Sequence, residues 1–169
     1  PLCAIISGRC AVLAGGAFRA MSNSFTRGLR AAAAATAPIL FGYVFVGMAF
    51  GLLLQKTGYG VLWAFLSSLT VYSGSMQFVL VELLMGWPGF LHVAVVTLAV
   101  QIRHAFYGLS LIEAFKGLGI RKLYLIFALT DETYSLLCSI KPPKAMPRGR
   151  FYLLIALLNQ CYWIAGSVI

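Results

Sequence analysis

Four acidic or basic side chains interrupt apolar stretches of this 169-residue chain: Glu82, Arg103, Asp131 and Glu132, with His104 beside the arginine. An ionised group at bilayer depth costs about 2.5–3.5 kcal/mol on insertion scales, so it faces protein or water and takes a partner. Arg103 stands near the middle of VVTLAVQIRHAFYGLSL, residues 95–111, where that cost is greatest. An interhelical ion pair with Asp131 or Glu132 answers it. Such a pair serves either a transported solute or the register of the helices. Glu82 lies close enough to a segment boundary to reach headgroups.

A second group of polar residues lies in TVYSGSMQF, residues 70–78. Thr70, Ser73 and Gln77 recur at i, i+3 and i+7, which predicts a polar stripe on one helix face. Ser73, Gly74 and Ser75 in succession make a weak point. A helix broken there exposes backbone N–H and C=O groups able to hold a carboxylate or an ammonium. Serines in membrane helices also bond back to the preceding turn, which is the alternative. Near the end of the chain Asn159, Tyr162 and Trp163 form another polar and aromatic face, suited to solute binding or to interhelical hydrogen bonds.

Together these groups suit a transporter better than an enzyme. A zwitterionic solute needs an anion-binding group, a cation-binding group and an apolar pocket, which Arg103, Asp131 with Glu132, and abundant Leu, Val and Phe supply. Hydrolysis by a serine would need a His base. Ser75 with His104 is the one pairing available, and it lacks a GxSxG context. Cys3, Cys10, Cys138 and Cys161 show no CxxC spacing, and His92 and His104 form no HExxH, so no metal site, disulfide framework or cofactor is indicated.

The elements that must position these residues are membrane helices. Apolar residues make up 61% of the chain and charged residues 10%, against roughly half and a quarter in soluble domains. The mean hydropathy is +0.91. The excess of 13 Lys and Arg over 4 Asp and Glu lies mostly between apolar segments. It therefore reports topogenesis and anionic headgroups rather than nucleic acid.

Five apolar segments are expected, so the fold class is an all-α polytopic transmembrane bundle. Ala31 to Leu54 is uncharged and long enough for a core of roughly 30 Å, with Pro38 in its first turns and a Gly47/Gly51 GxxxG step for close helix approach. The second runs from Val61 to about Met85, and the third from about Pro88 to Ile112, as one helix or a broken pair. The fourth, Leu123 to Ile140, is interrupted by Asp131 and Glu132. The fifth starts at Phe151 and is still apolar at Ile169. An N-inside arrangement places Arg27, Arg30, Lys141, Lys144, Arg148 and Arg150 on one side and Lys56, Lys116, Arg121 and Lys122 on the other, a weak lean.

Residues 1–24 read as a leader. Its first twenty residues are either a weak signal-peptide core or, the preferred reading, sequence upstream of a start at Met21. Residues 25–169 read as the transporter domain, ending before further spans.

The motifs PILFGYVFVGMAFGLL, VYSGSMQF, QIRHAFYGLSL, TDETYSLL and NQCYWIAGS, in this order, resemble the AzlC family, the large subunit of bacterial branched-chain amino-acid exporters. The similarity covers about Phe25 to the end. It implies export of valine, leucine, isoleucine or their analogues across the bacterial inner membrane, with a small AzlD-type membrane subunit as partner. The family's NxRH pattern falls on Gln101, Arg103 and His104, with Gln101 in place of Asn, and its TDET pattern on Thr130, Asp131, Glu132 and Thr133. Ser73, Gly74, Ser75, Gln77, Gln101, Arg103, Tyr107 and Asn159 are then the candidate substrate-binding residues. No P-loop is present, so secondary transport driven by protons is expected, with His104, Asp131 and Glu132 as the coupling groups. An exporter of another small hydrophobic solute and a non-transporting structural subunit are the alternatives.

Overall fold

The computed structural model of the chain describes the backbone of residues 2–143 and 146–169, and the side chains of residues 25–143 and 146–169. The readings placed on Cys3, Cys10, Met21 and Lys144 lie outside the described side chains. Every regular element among the described residues is a helix: α1 (Leu2–Lys56), α2 (Val61–Thr70), α3 (Gly74–Gly86), α4 (Phe90–Ser110), α5 (Arg121–Phe127), α6 (Asp131–Ser139) and α7 (Arg148–Val168).

Three of these are long and apolar enough to cross a membrane: α1 over Phe25–Lys56, α4 and α7. The other two expected segments are each divided, the second into α2 and α3, the fourth into α5 and α6. The third is the single continuous helix α4.

The first helix starts well before Ala31, so Pro38 stands inside it rather than in its opening turns. Leu29 and Arg30, directly ahead of Ala31, offer no capping side chain that would start a helix there. The missing N–H of Pro38 leaves the carbonyl of Ala34 without its usual i+4 donor.

The longest packing seam joins α1 to α7. A Cβ on Gly47 would lie 2.9 Å from the Gly166 carbonyl carbon, and one on Gly166 would lie 2.8 Å from the Tyr43 carbonyl oxygen. The expected close approach at the GxxxG step is therefore real, and α7 supplies the facing glycine. On α7 the buried residues Tyr152, Ile155, Asn159, Trp163 and Gly166 recur at helical spacing. That side faces the bundle, and α7 is half buried where α4 is not buried at all.

On α4, Leu91, Val95, Leu98, Ile102, Phe106 and Leu109 form an exposed apolar stripe at three- and four-residue steps. A bilayer solvates such a stripe. Polar and aromatic side chains on the other side of α4 link it to the bundle.

Both interruptions have local causes. At the first, Tyr72 has φ 39°, and Ser73 is extended ahead of Gly74. At the second, Thr130 is extended and caps α6, its hydroxyl accepting from the Thr133 N–H at 3.3 Å. Asp131 and Glu132 occupy the first turn, where the helix dipole favours negative charge. Irregular backbone at membrane depth is tolerated where it lines a cavity or is buried in protein.

The first interruption corrects the expected stripe of Thr70, Ser73 and Gln77. The 3.6-residue period does not carry through a broken helix, and the three side chains part. Thr70 bonds back to the Leu66 carbonyl at 2.7 Å, Ser73 donates to Gln101, and Gln77 turns into the core.

Candidate functional site

The two interruptions open onto one cavity of about 580 Å³, within the roughly 300–1,000 Å³ usual for small-molecule sites. Pro38, Ile39, Gly42, Tyr43 and Val46 of α1 form one wall. Tyr72 and Ser73 come from the first break, and Gly74, Ser75 and Phe78 from α3. Helix α4 contributes Arg103 and His104, the second break Thr130, α6 Asp131 and Glu132, and α7 Trp163.

Arg103 pairs with Asp131, one of the two expected partners, at 2.5 Å. Its other terminal nitrogen donates to the Ser75 hydroxyl. One guanidinium thus joins the first turns of α3 and α6. Each member of the pair keeps about two fifths of its side chain exposed. Ser75 and His104 share no hydrogen bond among the described residues, and the buried His104 Nδ1 has no partner there.

Glu132 behaves differently from its neighbour. Its Oε2 accepts from the Tyr43 hydroxyl at 2.8 Å, and Tyr43 also lies 2.7 Å from Thr130 Oγ1. The Trp163 ring stands edge-on to Tyr43, with centroids 5.4 Å apart. Trp163 also explains Gly74: a Cβ there would lie 3.0 Å from the indole ring. The start of α3 is uncapped, because the Ser73 hydroxyl donates to Gln101 Oε1 at 3.0 Å instead.

Seven candidate residues therefore meet at the cavity: Ser73, Gly74, Ser75, Arg103, His104, Asp131 and Glu132. The other four lie behind its wall. Gln77 is fully buried, donating to Ser67 at 3.2 Å and Ser68 at 3.1 Å while accepting from the Trp163 indole at 2.6 Å. Asn159 donates to Thr133 at 2.9 Å. Gln101 holds Ser73, and Tyr107 stacks on Tyr134 with centroids 4.5 Å apart. The polar face of α7 makes the interhelical bonds that were one of its two readings: Tyr162 lies 3.3 Å from Thr36 Oγ1, and Ser167 lies 2.7 Å from Ser68.

Tyr43, Tyr72, Thr130 and Trp163 were missed as site residues. Tyr43 reads as a core aromatic in an apolar run, and Trp163 only as part of the polar and aromatic face of the last segment. Thr130 carried a usable signal, since Thr followed by Asp and Glu is a helix start. Among the described residues no three His, Cys, Asp or Glu side chains converge on a metal geometry. The chemistry on offer is the reversible holding of a small solute with charged and apolar parts.

Residues 38–169 match the family described as AzlC protein. The branched-chain amino acid transport protein AzlC of Bacillus subtilis is 36% identical over 134 residues, which are 79% of this chain and 53% of that protein. An uncharacterized membrane protein of Helicobacter pylori is 39% identical over 147 residues, 87% of this chain and 64% of that protein. The inner membrane protein YgaZ of Escherichia coli is 30% identical over 139 residues, 78% of this chain and 55% of its own length. The chain thus spans between about half and two thirds of these relatives. No solved structure matches it. With most of its length matched by the family and by a relative more than a third identical, the chain belongs to the AzlC family.

Proposed function

We propose that the chain forms the substrate-holding part of a secondary transporter that exports branched-chain amino acids, valine, leucine and isoleucine, across the bacterial cytoplasmic membrane. In this reading it is the large subunit of a two-component permease whose partner is a small AzlD-type membrane protein, and the proton gradient drives export. The observation that carries the reading is the cavity between the two interrupted helices. It combines a guanidinium, two carboxylates and uncapped helix N–H groups with an apolar wall of Ile39, Val46 and Phe78. Interrupted membrane helices meeting at a cavity are how many transporters bind charged solutes without exposing backbone to lipid. The name of the Bacillus subtilis relative supports the substrate class.

The test is valine efflux from preloaded cells carrying the full-length gene, with and without the gene of the small subunit. Efflux that requires both supports the exporter and its two-subunit form. No efflux of valine, leucine or isoleucine, with both proteins shown to be in the membrane, removes the substrate assignment.

A further inference from the structure

Two carboxylates reach the cavity, and one of them is already neutralised. Asp131 is held by Arg103 at 2.5 Å. Glu132 meets no Lys or Arg among the described residues; the Tyr43 hydroxyl donates to its Oε2 at 2.8 Å. Glu132 is exposed and offers its other oxygen to something that enters, whereas the Oδ1 of Asp131, unpartnered among the described residues, is buried.

The surroundings of Glu132 suit an organic cation. Tyr72 is 2% exposed, lines the cavity, and its hydroxyl stands beside that of Tyr43 without a well-aligned hydrogen bond among the described residues. An unpaired buried hydroxyl is costly, so a ligand that satisfies it gains affinity. Tyr72 also has φ 39°, a strained conformation for an aromatic residue that recurs at ligand-holding sites. The rings of Tyr43 and Trp163, edge-on at 5.4 Å, complete an aromatic wall, and ring faces attract cations. A primary ammonium group fits this set: one charge for the carboxylate and N–H donors for the tyrosine oxygens. An alkali ion shares part of that chemistry but gains less from the aromatic wall.

We propose that Glu132, and not Asp131, receives the ammonium group of the transported solute. Tyr43 orients the carboxylate and Tyr72 is the second acceptor. The site then selects solutes that carry a primary amine. This inference rests on the transport reading above.

The experiment is valine counterflow in vesicles holding the full-length protein with its small subunit. Valinamide, which keeps the ammonium, and isovalerate, which lacks it, are added as competitors. Wild type is expected to be inhibited by valinamide and not by isovalerate, with a valine KM that is independent of sodium concentration. Glu132→Gln is expected to raise the valine KM by roughly tenfold or more, as for loss of a charged hydrogen bond, and to abolish inhibition by valinamide. Glu132→Asp is expected to restore part of both.

Tyr72→Phe removes one hydroxyl without disturbing packing, and it carries the test if Glu132→Gln fails to assemble. It is expected to raise the valine KM several-fold at unchanged kcat, and an unchanged KM overturns the proposal. So does valinamide inhibition that survives in Glu132→Gln, isovalerate inhibition equal to that of valinamide in wild type, or a valine KM that follows sodium. Wild-type vesicles that move no valine remove the transport reading and this inference with it. Wild-type flux combined with any of the other adverse results removes this inference alone.

Discussion

Arg103 of α4 donates to Asp131 at 2.5 Å and, through its other terminal nitrogen, to Ser75, so one side chain bridges the first turns of α3 and α6. Helix α4 has no buried residue, so its attachment to the bundle depends on such polar links. Breaking a fully buried pair by removing one partner costs roughly 3–5 kcal/mol. Both partners here remain about two fifths exposed, which reduces the expected loss to about 1–3 kcal/mol. Arg103→Gln and Asp131→Asn are each expected to lower the thermal stability of the detergent-solubilised protein. The double variant should lose less than the sum of the two, because neither charge is stranded. Arg103→Gln should also cut valine flux at an unchanged level in the membrane. Loss of subunit assembly in place of flux would instead make the arginine a structural brace.

The seam between α1 and α7 makes a sharper steric prediction. A Cβ on Gly47 meets Gly166 and Ser167 backbone at 2.9 Å, and backbone cannot rotate away. Gly47→Ala and Gly166→Ala should therefore separate the helices, at about 1–3 kcal/mol each. The two sites touch the same stretch of seam, so their effects should be non-additive. Gly42→Ala is the control for stability, since nothing lies within 4 Å of its added Cβ. Melting temperatures of the four proteins decide it, and a Gly42→Ala as unstable as Gly47→Ala would show that the seam is not the cause.

Much of this arrangement is legible in the sequence. Five apolar segments follow from run length alone, and the GxxxG step announces a close helix partner without naming it. Both interruptions are marked by polar residues inside apolar runs: Ser73 with Gly74 and Ser75 at one, Asp131 with Glu132 at the other. What the sequence hides is direction. Gln77 reads as part of a solute-facing stripe because periodicity assumes an unbroken helix, but the turn at Tyr72 rotates it into the core. Tyr43 is hidden for the opposite reason. An aromatic residue in an apolar run looks like packing until the position of its polar atom is known. The choice between Asp131 and Glu132 for Arg103 is likewise beyond a sequence, because the two are adjacent and only the geometry of the α6 start separates them.

The buried bond from Trp163 to Gln77 fixes the wall behind α3, and its removal should act on binding from a distance. Gln77→Leu strands the indole N–H, while the Ser67 and Ser68 hydroxyls keep the Ala64 carbonyl and Ser167 as partners, and about 1–3 kcal/mol of stability is at stake for the one buried group left unpaired. The ring also limits the space at Gly74. Trp163→Phe should therefore raise the valine KM as well as lower stability, whereas Ser68→Ala should affect stability alone. Equal effects of both variants on KM would indicate general loosening of the fold.

Coupling to protons assigns different work to the two acidic residues of α6. If Glu132 is engaged by the solute, Asp131 is the carboxylate left for the proposed coupling: neutralising it removes the counter-charge of Arg103 and one link between α4 and α6, the Tyr107–Tyr134 stack being another. The groups around this pair are His104 and Tyr107 on α4 and Glu132 on α6, with Ser75 of α3 as a neutral neighbour. Proton-driven export, as proposed, predicts that valine efflux from wild type rises as the external medium is acidified. Asp131→Asn carries no titratable carboxylate at that position, so its efflux should be slow and flat across external pH. Glu132→Gln should keep the wild-type slope while requiring more valine to reach it. Efflux measured at several external pH values in the three proteins separates these outcomes, and an unchanged slope in Asp131→Asn would end the case for Asp131 as the coupling group.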